Sequence, residues 1–510
     1  MRPAARRLAL ALALFAGLAQ AMSIAAPWSG QPLWWLQMLS LGVLAWQVDR
    51  VDSVRRAAWL GWVFATAWLA GTFWWLFISM HTYGGLPAPL AVLAVLGLAA
   101  FLALYYAAAC GLYIAWAPVS RAGRAALFAA LWTFAELARG HWFTGFPWGA
   151  GGYAHVDGPL AVLAKFVGVY GLGTIAAVLA WLLLDLCRKP QARNRWLALA
   201  LVVPVVGLAL LAAKAYSVGT ASVEVALLQG NIPQDEKFQG GTGVPVALEW
   251  YGQQLRGATA PLVIAPETAI PMLPQQLPDG YWDALRKRFT AGPQAALVGV
   301  PLGSYKEGYT NSVVGLKPGA EIYQYDKHHL VPFGEFIPPF FRWFTQMMNI
   351  PLGDFNRGAV GQASFLWQGQ RLAPNICYED LFGEELGARF ADPAQAPTIF
   401  VNVSNIGWFG NTVAIDQHLQ ISRMRALEFE RPMIRATNTG ASVIIDHRGR
   451  VTHALPRHTR GVLVGEVEGR IGTTPFAWWV SRFGLWPLWL LAVGVAAFAA
   501  WAKRSSRSTF

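Results

Sequence analysis

Charge is scarce in this chain. Only 13% of its 510 residues are Asp, Glu, Lys or Arg, where a soluble protein carries about 25%. Cysteine is scarcer still, with three in the whole chain, and that excludes a disulfide-stapled scaffold. Low charge combined with 55% hydrophobic residues excludes intrinsic disorder, which needs the opposite balance. Familiar catalytic signatures are missing as well. The sequence has no H-E-x-x-H, no paired C-x-x-C, no G-x-S-x-G and no P-loop. Gly240-Gly241-Thr242-Gly243 fits no phosphate-binding pattern and reads as a loop. His328 and His329 are adjacent, a poor geometry for two ligands on one metal, so neither a metal nor a cofactor is expected.

What the chain has instead is apolar length. A membrane span needs about 20 largely apolar residues. Such runs lie at roughly 8–26, 31–48, 57–80, 88–116, 125–143, 159–187, 195–214 and 480–502. Between 219 and 474 no comparable run exists and charge returns to ordinary frequency. The expected architecture is a helical membrane bundle of about eight spans joined to one polar domain. Residues 1–218 would hold seven spans, 219–474 the polar domain, and 475–510 a last span with its tail. The net charge of +12 does not point to nucleic acid, because the basic residues do not gather on one folded stretch with interleaved aromatics. They cluster between apolar runs, at Arg2, Arg6 and Arg7, at Arg50, Arg55 and Arg56, at Arg121 and Arg124, and from Arg188 to Arg195. Lys503, Arg504 and Arg507 form the last cluster, whereas the loops at 27–30 and 81–87 carry no Lys or Arg. By the positive-inside rule both termini are cytoplasmic and the polar domain lies on the far side. Ala19-Gln20-Ala21 resembles a signal-peptide cleavage site, but apolar residues continue to Pro27, so a retained span is expected. Glu136 lies inside the fifth run. It reads either as a functional intramembrane carboxylate or as a structural partner of Arg139 at spacing i, i+3. Cys110 and Cys187, also in apolar runs, read as packing residues.

In the polar domain, short β-rich strings such as Val223–Leu228, Ala295–Pro301 and Thr398–Val403 alternate with helical stretches at 245–256, 279–289 and 415–430. Strands mixed with helices point to layered α/β packing, with sheets covered by helices. Three of the strings end in reactive side chains. Leu372–Cys377 ends in a cysteine followed by Tyr378-Glu379-Asp380. Val263-Ile264-Ala265-Pro266-Glu267 is stopped by proline with a carboxylate at its mouth, and Ile322–Lys327 runs out into an ammonium. Singly, each has a bland reading: a packed thiol, a solvated loop carboxylate, a surface lysine. Together they make an acyl-transfer set. A thiol reacts as thiolate, a carboxylate can take its proton, and an ammonium can face the oxyanion of a tetrahedral intermediate.

At these residues the chain resembles the nitrilase, or carbon–nitrogen hydrolase, superfamily, whose αββα sandwich uses Glu, Lys and Cys in that order. The surrounding words narrow the resemblance to the bacterial apolipoprotein N-acyltransferase family. They are Gln229-Gly230-Asn231-Ile232-Pro233-Gln234, Ala265-Pro266-Glu267-Thr268, Lys327–Phe336, Cys377-Tyr378-Glu379 and Arg435–Gly440, with Gly145-Phe146-Pro147-Trp148 in the membrane part. The likeness covers essentially the whole chain. It implies Cys377 as nucleophile, Glu267 as base and Lys327 as oxyanion stabiliser, with supporting roles for Glu335, Tyr378 and Glu379 around the cleft. Phe238 stands where the family commonly has Trp and keeps the aromatic character. Ile406-Gly407 replaces the more usual Asp-Ala, so that stretch is given no catalytic role. The resemblance further implies a monomer in the bacterial inner membrane with its catalytic domain on the periplasmic side. Its partners would be a phospholipid acyl donor and a diacylated apolipoprotein acceptor. The aromatic segment Phe336–Asn356 reads as a lipid-touching flap or as an ordinary amphipathic helix packed on the sandwich. Two rivals stay open: a membrane-anchored amidase or nitrilase acting on a small substrate, and a non-enzymatic transporter or scaffold with an extracytoplasmic domain.

Overall fold

The computed structural model describes residues 3–188, 207, 214–319, 321–338, 341, 343 and 354–508. The chain forms two compact units. One comprises Met1–Trp74, Pro89–Ala215 and Leu485–Phe510; the other comprises Trp75–Ala88 and Tyr216–Gly484.

The first unit is helical. Among the described residues, four helices are long and apolar enough to cross a membrane: Ala4–Met22, Ala88–Trp116, Ala161–Leu183 and Trp486–Ser505. A fifth is counted if the broken pair Val54–Thr72 and Leu76–Tyr83 is taken as one span. This differs from the eight runs of the hydropathy reading, for reasons of length and charge. The run at 31–48 forms a helix of 15 residues, Trp34–Val48. At 1.5 Å per residue that is roughly 22 Å, short of a hydrocarbon core of about 30 Å. The run at 125–143 lies in Arg121–His141, long enough but carrying Arg121, Arg124, Glu136 and Arg139. The run at 195–214 falls almost wholly outside the described residues.

Small residues let these helices approach closely. A Cβ on Gly61 would lie 2.8 Å from the Tyr106 carbonyl and 2.7 Å from the Cys110 sulfur, so Cys110 is a buried packing residue, as its apolar setting suggests. Cys187 falls outside the described side chains. Glu136 and Arg139 do not bridge each other; each holds main chain of the loop after its helix. The Glu136 carboxylate accepts from Gly151 N at 2.8 Å. Arg139 donates to the carbonyls of Phe146 and Trp148, the latter at 2.7 Å. Of the two readings of Glu136, the structural one describes its contacts, with a different partner.

The second unit is a four-layer sandwich. One sheet contains β1 (Ser217–Gln229), β2 (Leu262–Ile264), β3 (Ala295–Ser304), β4 (Gly308–Leu316), β5 (Tyr323–Asp326) and β12 (Gly461–Gly472), in the order β12-β1-β2-β3-β4-β5. The other contains β6 (Phe365–Trp367), β7 (Gln370–Ile376), β8 (Ile399–Ser404), β9 (Met433–Thr437), β10 (Val443–Ile445) and β11 (Val451–Ala454), in the order β11-β10-β9-β8-β7-β6. Both sheets repeat one pattern. Three neighbouring strands are parallel (β1-β2-β3 and β7-β8-β9) and the outer pairings are antiparallel. Side chains alternate across each strand. Val225, Leu227, Leu262, Ile264 and Leu297 meet Leu372, Ile376, Val401, Val403 and Ile434 between the sheets. The alternate residues Ala226, Leu228, Val263, Ala296 and Val298 pack outward with Leu248, Tyr251, Leu255, Leu285 and Phe289, from helices Gly243–Gly257 and Tyr281–Thr290. Helix Ala414–Phe429 covers the second sheet, with Phe429 on Phe400 at 5.4 Å between centroids. The segment Trp75–Ala88 joins this unit through Trp75. Its indole donates to Gln417 at 3.0 Å and its ring lies 4.2 Å from that of Phe409.

Candidate active site

Parallel strands gather their C-terminal ends on one edge, where open α/β sheets place their sites. β2 ends at Ile264, and the chain turns through Pro266 into Glu267. Thr268 then takes φ 46°, unusual for a β-branched residue. Gly299 on β3 makes this turn possible, because a Cβ there would sit 2.2 Å from the Pro266 carbonyl and 2.7 Å from the Glu267 Cα. β7 ends at Ile376, and Cys377 follows in the left-handed region at φ 52°. A cysteine held there carries backbone strain of the kind that clusters at active sites.

The charged groups meet in one buried set. Lys327, just past β5, places Nζ 2.9 Å from the Glu335 carboxylate and 3.4 Å from Glu267 Oε1. Asn311 Nδ2 donates to both carboxylates, at 2.7 Å each. Glu267 Oε2 accepts from Asn405 N at 2.8 Å, and Glu335 Oε2 from Val331 N at 2.8 Å. Burial alone pushes the Glu267 carboxyl up, but Lys327, Asn311 and Lys237 outweigh it and hold the group below its usual range. For Lys327, burial works against the charge, yet Glu335 and Glu267 prevail and raise the ammonium above its ordinary value. The Cys377 thiol is pushed up to about 12, first by burial and then by the Glu267 charge, with Lys327 opposing. The resting site is therefore a neutral thiol beside an ionised carboxylate and an ammonium.

Of the residues singled out in the sequence, Glu267, Lys327 and Glu335 share hydrogen-bonded contacts, and their charges act on Cys377. Glu379 does not reach them; it braces the turns that carry them. It accepts from Ile376 N at 2.6 Å, Tyr325 OH at 2.8 Å, His328 N at 2.6 Å and His329 N at 3.1 Å. Tyr378 is buried, its ring 5.7 Å from that of His329 and 5.3 Å from that of Phe382. Phe238 is half-buried and stacks on Trp408 at 6.5 Å. In the segment Phe336–Asn356, Phe341 and Trp343 are exposed, while Phe340, Phe344, Met347 and Met348 lie outside the described residues. That segment leaves and rejoins the site at Glu335, whose carbonyl accepts from Phe355 N at 2.9 Å.

Sequence reasoning missed four parts of this arrangement. Asn311 sits inside a strand, where Asn is depleted, and that misfit was its one signal. Asn405 belongs to the stretch given no role, and it serves through its main chain, which no side-chain pattern reveals. Lys237 is buried and donates to the Glu267 carbonyl at 3.0 Å. Behind Cys377 lies a network of Asp380, His418, Ser422 and Arg435. His418 Nε2 is 3.1 Å from the Cys377 carbonyl and 2.9 Å from Asp380 Oδ1. Both are acceptors, so Nε2 carries the proton, and Arg435 donates to Nδ1 at 3.2 Å. His418 is thus neutral, in keeping with burial holding its pKa below the ordinary value.

Comparison with known proteins places the whole chain among characterised sequences. The profile of the apolipoprotein N-acyltransferase N-terminal domain matches residues 10–182, and that of carbon-nitrogen hydrolase matches residues 224–476. An apolipoprotein N-acyltransferase of Verminephrobacter eiseniae is 64% identical over 93% of this chain and 92% of its own length. One of Ralstonia nicotianae is 47% identical over 87% of this chain and 85% of its own. Among solved structures, a carbon-nitrogen hydrolase from Helicobacter pylori aligns with 52% of this chain and 94% of its own at 16% identity and a TM-score of 0.35. With near-full-length identity of this order, the chain belongs to the apolipoprotein N-acyltransferase family.

Proposed function

We propose that this chain moves an acyl chain from a membrane phospholipid to the N-terminal amine of a diacylglyceryl-cysteine apolipoprotein, through a thioester on Cys377. The observation that carries this reading is the buried, hydrogen-bonded set of Glu267, Lys327, Glu335 and Asn311 at the strand ends, whose charges act on the Cys377 thiol. The Cys377 sulfur attacks the ester carbonyl carbon while Glu267 takes the thiol proton. Lys327 faces the oxyanion of the tetrahedral intermediate. Collapse breaks the ester C–O bond, Glu267 returns the proton to the departing oxygen, and lysophospholipid leaves. The acceptor amine then attacks the thioester, Glu267 takes a proton from it, and the thiol departs reprotonated as the amide forms. Glu335 and Asn311 hold Lys327 and Glu267 in register through both steps, and Glu379 fixes the turns beneath. Tyr378 and Phe238 line the approach.

The same reading makes sense of the apolar half. Each buried CH₂ contributes about 0.8 kcal/mol, so drawing a long acyl chain into water costs on the order of 10 kcal/mol. A catalytic domain held at a bilayer avoids that. The hydropathy runs support about eight spans in the inner membrane, and the basic clusters between them support residues 219–474 on the periplasmic side.

The test is to trap the acyl-enzyme. Incubation with phospholipid should add one acyl mass at Cys377, release lysophospholipid in equal amount, and be abolished by Cys377→Ser. Lys327→Met should slow both half-reactions by about 10²–10³. An adduct on another residue sinks the mechanism. Turnover of a small amide with no lysophospholipid release favours the anchored amidase instead.

A further inference from the structure

The mechanism above leaves one buried charge unused. Lys237 lies in the turn after β1, its own N–H bonded to the Pro233 carbonyl at 2.9 Å. The residue is 1% exposed. An ammonium has three N–H donors. Among the described residues its one hydrogen-bond acceptor is the Glu267 carbonyl, at 3.0 Å, with the Phe238 ring 5.8 Å away. Beside it on the same turn, the buried Gln234 has its Oε1 bonded to Asn405 while its Nε2 has no partner. Burying an ammonium on a single neutral acceptor is costly, and a carbonyl needs only a neutral donor to satisfy it. The ionisable groups that act on Lys237 are Glu267 and Cys377, and both favour its charged form against burial, which brings its pKa down to about 7. They are the two groups between which the proton moves.

We propose that Lys237 is a second functional cation of this site, bracing the Glu267 turn through its carbonyl and stabilising the negative charge that develops on the Cys377 sulfur. The inference rests on the acyl-transfer reading above and deepens it. Sulfur carries charge as the thiol is deprotonated for attack, and again as it leaves in the second half-reaction. Lys327 is committed to the two carboxylates, so a second cation, bonded to the Glu267 main chain and not to its carboxylate, supplies what Lys327 alone does not. Lys237 acts through Glu267 and Cys377, which makes it a positioning residue and an electrostatic one.

The experiment uses the full chain in detergent at pH 6.5, with Lys237→Gln and Lys237→Arg. Gln keeps a donor for the Glu267 carbonyl and removes the charge; Arg keeps the charge. Two rates are read: thioester formation at Cys377 from phospholipid, by intact mass, and alkylation of Cys377 by iodoacetamide, by peptide mass. Lys237→Gln should slow both by about tenfold, the size of one pKa unit, and Lys237→Arg should recover most of the loss. Equal rates in Lys237→Gln and the unsubstituted protein overturn the proposal. So does a loss in the Gln variant that Arg leaves unchanged, which would mean bracing without charge. If Lys237→Gln does not fold, Lys237→Arg decides alone: a rate near that of the unsubstituted protein is expected, and a tenfold loss overturns the proposal. Failure of the unsubstituted protein to form a thioester would overturn the acyl-transfer reading itself. That result is distinguishable, because the alkylation comparison needs no lipid.

Discussion

At the scale of single residues, the site's chemistry follows from which groups are charged at rest. The Cys377 thiol lies at about 12, raised by burial and by the Glu267 carboxylate. Thiolate is therefore rare at neutral pH, and in the proposed mechanism the proton leaves as the carbon–sulfur bond forms. Glu267→Gln separates the two effects of that carboxylate. Removing its negative charge lowers the thiol pKa, so alkylation of Cys377 by iodoacetamide at pH 8 should become faster. Removing the base should reduce thioester formation from phospholipid by at least 10². Parallel loss of both rates would show that Glu267 only holds the fold. The linkage signs agree with an ion pair intact in the working range. Glu267, with its folded pKa depressed, contributes stability above its unfolded value near 4.3 and loses it as pH falls through the folded value. Lys327, with its folded pKa raised, contributes stability fully below its unfolded value near 10.4 and loses it as pH rises through the folded value. Unfolding midpoints measured from pH 5 to 10 should show no step from this pair. Cys377, Glu267 and Lys327 were legible in the sequence because each ends a β-rich string in polar residues. Lys237 was not, because a lysine two residues after Asp235 in a loop looks solvated until the chain folds over it.

At the scale of elements, strand ends and the turns after them do the positioning. Glu379 accepts four hydrogen bonds that tie the Cys377 turn to the Lys327 strand end. Glu379→Gln turns part of that acceptor into a donor facing N–H groups, and each buried donor left without a partner costs about 1–3 kcal/mol. The variant should melt several degrees lower and acylate Cys377 more slowly, with the two losses moving together across Glu379→Gln, Glu379→Asp and Glu379→Ala. A variant that melts lower yet acylates normally would show that the turn does not set the nucleophile. The sequence located β5, β7 and β8 within a residue or two but found β1 and β3 several residues short, since the apolar stretch of a strand is visible in one dimension and its exposed ends are not. Strand order, and the repetition of one pairing pattern in both sheets, was not visible, because pairing depends on registers between segments far apart in the chain. The same limit applied to the helices. A sum of hydropathy over 57–80 does not see that the helix stops at Thr72 and that the chain from Trp75 onward packs on the sandwich.

At the scale of the whole molecule, the polar half does not close on its own residues. Trp75, from the end of the apolar run at 57–80, donates to Gln417 and packs on Phe409, and Tyr83 lies 6.0 Å from Trp408, which stacks in turn on Phe238. A fragment of residues 216–484 would lack that segment and leave Phe409, Trp408 and the Gln417 amide uncovered. Such a fragment should therefore aggregate or melt well below the full chain. A fragment that includes residues 75–88 through a linker should recover part of the difference. The segment also bears on topology. The loops at 49–56 and 119–124 carry Arg50, Arg55, Arg56, Arg121 and Arg124, whereas the loop at 81–87 carries no Lys or Arg. If basic loops stay in the cytoplasm, residues 75–88 and residues 219–474 share the opposite side, as their packing in one unit requires. A reporter fused near residue 53 should then read as cytoplasmic, and reporters near residue 85 and within 219–474 as periplasmic. The readings at 85 and in the polar domain must agree with each other whatever the orientation, because Trp75 and Gln417 cannot bond across a bilayer. Agreement on the periplasmic side places Cys377 where an acceptor lipoprotein exposes its N-terminus outside the membrane. Agreement on the cytoplasmic side would leave the fold intact and remove the lipoprotein as its substrate.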